Sequence, residues 1–118
     1  MKIDLKKWNG LFYSKTVLAQ EVAASSNEYR CWVCIFNTKS WSFPRRRPHA
    51  FIHETEALFS VVKVEFLALQ IELGDGITGM FNAEYEDAAN EEALYEVLNR
   101  KGYQIDLFVE EWNANLPI

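Results

Sequence analysis

The chain has 118 residues and a formal net charge of −5, a length that predicts one domain, 1–118, at roughly 100–200 residues per domain. Hydrophobic residues at 49% and charged residues at 25% exclude a disordered or collagen-like chain and leave enough apolar material for a core. The longest stretch without a charge is eight residues, against about 20 apolar residues for a spanning helix, which excludes a transmembrane helix.

The opening MKIDLKKW has lysines but no apolar run. No signal peptide is expected, and a cytoplasmic location follows as an expectation. Residues 15–26, KTVLAQEVAASS, have Val17, Leu18 and Val22 at helical spacing behind Ser14, which predicts a short capped helix. Tyr29 to Phe36, YRCWVCIF, is β-branched and aromatic throughout, which predicts a central strand buried on both faces. A loop is expected over residues 37–48. From Thr55 to Leu73, length favours a helix, with a strand in its second half as the alternative. Gly74, Asp75 and Gly76 predict a turn.

The C-terminal third has the sharpest pattern. Ile77, Gly79, Phe81, Ala83 and Tyr85 alternate with polar or smaller residues, which predicts a strand with one apolar face. Asn90 is an N-cap, and Glu91 and Glu92 stand in the first turn, where the helix dipole favours anions. Leu94, Val97 and Leu98 form the buried stripe, and Gly102 ends the helix. Tyr103, Ile105, Leu107 and Val109 then predict a second strand with Phe108 on its polar face. The fold class expected is α+β: one mainly antiparallel sheet with two or three helices packed against it.

The charge is uneven. Residues 1–59 carry nine Lys/Arg and five Asp/Glu, while residues 60–118 carry three and twelve. Between Lys63 and Arg100 there are nine acids and no base. Such a field attracts cationic surfaces and repels nucleic acid. Glu84, Glu86, Asp87, Glu91 and Glu92 gather at one predicted strand-to-helix corner, with Glu84 and Glu86 on the non-core face. That corner is the expected partner-binding surface, with Phe108 as its aromatic anchor.

Two other constellations carry chemistry. Cys31, Cys34, His49 and His53 have the spacing C-x2-C-x14-H-x3-H, within the loose range of a tetrahedral zinc site, and this stretch resembles the two-Cys, two-His zinc finger. Residues Trp32 and Val33 favour extended backbone between the thiols, which would point them to opposite faces, so no metal and no cofactor are expected. The loop Trp41 to Phe51 sets Arg45, Arg46 and Arg47 among aromatics. Such a loop suits a protein partner, a phosphate backbone, or pairing with the acidic half of its own domain. A small zinc-binding or nucleic-acid-binding module built from these residues is the alternative reading. There is no nucleophile elbow or H-E-x-x-H, so an enzyme is not expected.

The closing unit from Gly76 to Trp112, GITGMFNAEYEDAANEEALYEVLNRKGYQIDLFVEEW, resembles segments of small bacterial immunity proteins. These neutralise the toxins of contact-dependent growth inhibition and related polymorphic systems. The resemblance implies a small acidic cytoplasmic protein that binds one cognate toxin domain, often a basic nuclease, and blocks its active site or substrate groove. It carries over no binding residues by motif; from the acidity and the lack of a long apolar run, neither nucleic acid nor a membrane is expected as a partner.

Overall fold

Residues 29–37 organise the molecule. In the computed structural model, which describes residues 2–40, 55–74 and 80–117, YRCWVCIFN forms strand β2 (Tyr29–Asn37), buried from Cys31 to Asn37. Helix α1 (Leu5–Phe12) and strand β1 (Leu18–Val22) precede it. Strand β3 (Phe59–Leu67), the short helix α2 (Ala68–Glu72) and strand β4 (Met80–Ala88) follow. Helix α3 (Glu91–Arg100), a 3-10 turn (Ile105–Leu107) and the short strand β5 (Val109–Glu110) complete the order. The sheet runs β4-β3-β2-β1-β5, and every neighbouring pair is antiparallel. Among the described residues this is the expected α+β architecture, one antiparallel sheet with three helices.

A strand at the centre of such a sheet has both faces to bury, and β2 does. Val33 and Ile35 point to one face, where they meet Leu18, Phe59, Val61 and Ala88 beneath α1 and α3. Leu11 of α1 and Leu94, Val97 and Leu98 of α3 close that core. Trp32, Cys34 and Phe36 point the other way and pack with Val17, Ala19, Val62, Val64 and Phe66. Ile71, Tyr85, Ala114 and Leu116 cover this second core. The Trp32 indole donates to the Ala114 carbonyl oxygen at 2.8 Å, which ties the C-terminal segment down.

Helix α3 follows its local signals. The Asn90 side chain accepts the Ala93 N–H at 2.9 Å, Glu91 and Glu92 occupy the first turn, and Gly102 takes φ +76. The Tyr103 N–H then reaches the Leu98 carbonyl at 3.0 Å, the reverse bond of a glycine-terminated helix end.

Three expectations fail. Residues 18–22 are strand β1, not part of a helix. Val17 and Ala19 enter one core and Leu18 the other, so two-faced burial makes consecutive apolar residues look helical. Lys15 at φ +60 also breaks helical continuity just before it. The first helix lies earlier instead: Asp4 accepts the Lys7 N–H at 3.0 Å, and Trp8, Leu11 and Phe12 pack on the core.

Phe59–Leu67 is strand, and only the single turn Ala68–Glu72 is helical. The segment has apolar residues on both faces because β3 lies between β2 and β4 with a core on each face. The second C-terminal strand shrinks to Val109–Glu110. Ile105 and Phe108, three apart, both enter the core through a 3-10 turn, and a regular strand would send them to opposite faces. Gly74 has the positive φ of a turn, +76; Asp75 and Gly76 lie outside the described residues. Among the described residues, no helix is long and apolar enough to cross a membrane.

Candidate functional site

The five expected acids do not share one corner. Glu84 pairs across the sheet with Lys63, and Glu86 with Val61. They share a face, but it is the face that carries α1 and α3, the same one that Ala88 enters. The expectation of a non-core face is therefore reversed. Its cause is that Ala83 and Tyr85 also face a core, on the opposite side of the sheet.

The carboxylate of Glu86 is bridged by Arg100 and, at 3.6 Å, by the Lys101 ammonium. Asp87 stands opposite Ser60, one residue out of phase with Glu86 and so on the other face. Glu91 and Glu92 are exposed at the start of α3, while Arg100 ends it, about 13 Å away along the axis at 1.5 Å per residue. A shallow recess of about 220 Å³ is lined by Glu91, Glu92, Tyr95 and Lys2.

Phe108 is wholly buried, at 0% exposure, in the core beneath α1 and α3. It cannot anchor a partner, and its expected place on a polar face is corrected. The zinc alternative loses its ligand geometry. Cys34 enters the second core with Trp32 and Phe36 on either side, and Cys31, three residues earlier in the same strand, points to the opposite face. Two thiols separated by their own sheet cannot share one ion. Burial pushes the Cys31 thiol up to about 11, with the neighbouring carboxylates of Glu65 and Glu84 acting in the same direction against Lys63. A thiol so raised is neither a ready ligand nor a nucleophile. Arg45, Arg46, Arg47, His49 and His53 lie outside the described residues.

The structure brings together a different group, which sequence reading missed. Beyond Val61 the helix-bearing face of β3 turns polar, with Lys63 and then Glu65. The β3–β4 register runs to Lys63 opposite Glu84 and resumes with Glu65 opposite Phe81. Strand β4 thus places Asn82 and Ala83 against Val64 alone, a bulge. Asn82 adopts φ +53 there, in the left-handed region that asparagine tolerates better than most residues. The bulge aims its amide at Glu65, to which it donates at 2.7 Å.

Glu65 is 3% exposed. Its second oxygen accepts the Ser25 N–H at 2.6 Å, and the Ser25 hydroxyl donates at 2.9 Å to the oxygen that Asn82 also reaches. Burial alone would raise the carboxyl. The Ser25 N–H, the Asn82 amide, the Ser25 hydroxyl and the Lys63 charge outweigh it and hold the group below its ordinary value. Glu65 is therefore a buried carboxylate at neutral pH.

Above it opens a cavity of about 570 Å³. The turn after β1 supplies Ala23, Ala24 and Ser25, β3 supplies Lys63 and Glu65, and β4 supplies Asn82 to Glu84. The sequence signal was a lone acid in the run VVKVEFLAL, since an acid amid β-branched residues must find donors or stay uncharged. Among the described residues, no three His, Cys, Asp or Glu side chains group closely enough to hold a metal ion. Comparison with protein-family models, with curated proteins and with solved structures finds no match.

Proposed function

We propose that this protein is a stoichiometric inhibitor, an immunity protein that binds and neutralises a basic toxin domain, most simply a nuclease. The observation that supports it is the charge of the folded C-terminal part. Residues 80–117 carry nine Asp/Glu against two Lys/Arg. Glu84 on β4 and Glu91, Glu92 and Glu96 on α3 are exposed. A surface of this sign lowers the cost of meeting a nucleic-acid enzyme, whose substrate groove is cationic, and speeds the encounter. The resemblance of residues 76–112 to small immunity proteins points the same way.

The test is coexpression with a secreted-toxin domain encoded beside its gene. Restored growth, together with a one-to-one complex on size exclusion, is the expected result. Continued killing with no complex contradicts the proposal.

A further inference from the structure

Resting on the inhibitor reading, we propose that the cavity over Glu65 is the pocket that receives an arginine side chain from a protruding loop of the basic partner. The geometry carries this in three steps.

The cavity holds more negative than positive charge. Its lining has two carboxylates, Glu65 and Glu84, against the single ammonium of Lys63, so one negative charge is in excess. Three donors reach it, and a carboxylate has about four lone-pair directions. One acceptor direction remains on a group held ionised at the floor.

The shape suits a side chain better than a free metabolite. The cavity is open, and its lining mixes polar and small residues: Ala23 and Ala24 leave space, while Ser25, Asn82 and Glu65 supply fixed polar atoms. Small-molecule sites are mostly apolar and enclosing. A guanidinium brings a planar fork of donors, which suits a carboxylate floor with a second carboxylate at the rim.

The floor is preorganised. Glu65 is fixed by bonds from the Ser25 turn on one side and the Asn82 bulge on the other, so little side-chain entropy is lost on binding. An aromatic pair borders this end of the face: Tyr29 and the partly exposed Phe81 meet edge to face at 6.0 Å. Such rings give the methylene stem of arginine an apolar flank.

The probe is Nα-acetyl-arginine amide, with the citrulline amide as its uncharged control, read by the Ser25 backbone and Asn82 side-chain amide signals in NMR titration. Saturable shifts with the arginine compound, roughly tenfold or more weaker with citrulline, are expected for a charge-assisted contact. Glu84→Gln should weaken binding, and Glu91→Gln and Glu92→Gln should not. Absence of saturable shifts, equal shifts with citrulline, or equal loss in the Glu91 and Glu92 variants would overturn the pocket. The titration contains no toxin. Its failure therefore leaves the inhibitor reading standing, and a failed growth rescue leaves the pocket standing.

Discussion

Glu65 shows how much one residue can depend on its neighbours. An acid at 3% exposure is tolerated because three donors from two other segments converge on it. Glu65→Ala should therefore destabilise by about 1–3 kcal/mol in urea denaturation, since it removes three hydrogen bonds to a charged group. Glu65→Gln keeps the shape and removes the charge, and it isolates the pH term. The folded carboxyl is held below its ordinary 4.5. Its contribution is fully present above 4.5 and is lost as pH falls through the lower folded value. The stability gap between the native protein and Glu65→Gln should thus be widest near neutrality and shrink below about pH 4.5. A gap that is constant from pH 7 to 3 would show that the carboxylate has no special support. The same residue marks where sequence reading stops. An acid in a buried run is visible, but its donors lie 40 and 17 residues away, and no local spacing announces them.

At the scale of elements, legibility follows the range of the forces. Helix α3 was readable because cap, stripe and terminal glycine each act through contacts only about a turn away in sequence. Asn90→Ala should cost about 0.5–2 kcal/mol through loss of the cap bond. Leu98→Ala should cost ~2–5 kcal/mol, because Leu98 is wholly buried between α3 and the sheet. Chemical denaturation checks both, and a loss under ~0.5 kcal/mol for Leu98→Ala would remove this face from the core. Strands β1 and β3 were not readable because each sends apolar residues into both cores, which blurs the period-two pattern. Val17, Leu18 and Ala19 satisfy two cores in succession, and only the pairing with β2, set by residues 31–35, decides that they are extended. Phe108 failed for a related reason: the 3-10 turn at Ile105–Leu107 changes the phase of the segment, and no glycine or proline in that segment marks the change.

At the scale of the molecule, the acidic C-terminal half was legible as composition but not as a surface. The fold gives Glu86 two cations of its own chain, Arg100 and Lys101, while Lys63 stands across the strand pair from Glu84 and Lys2 lines the same recess as Glu91 and Glu92. Exposed pairs of this kind contribute at most about 1 kcal/mol each. Their larger consequence is to spread the net charge over β4 and α3 rather than focus it at one corner. Charge reversal at exposed sites should then act on encounter rather than on folding. Glu86→Lys is a poor choice, since it would also set a cation against Arg100 and Lys101. Glu84→Lys has the same fault, since Lys63 stands opposite it; Glu91→Lys, Glu92→Lys and Asp106→Lys, all at exposed positions, should fold normally and should each slow association with a basic toxin domain. The measurement that bears most directly on the inhibitor proposal is that association rate, followed for the native protein from ~0.1 to ~1 M salt, where the screening length falls from ~10 to ~3 Å. The expected result is a rate that drops steeply with salt, and whose salt dependence weakens with each reversal. A rate indifferent to salt and to all three reversals would contradict an acidic, toxin-binding surface.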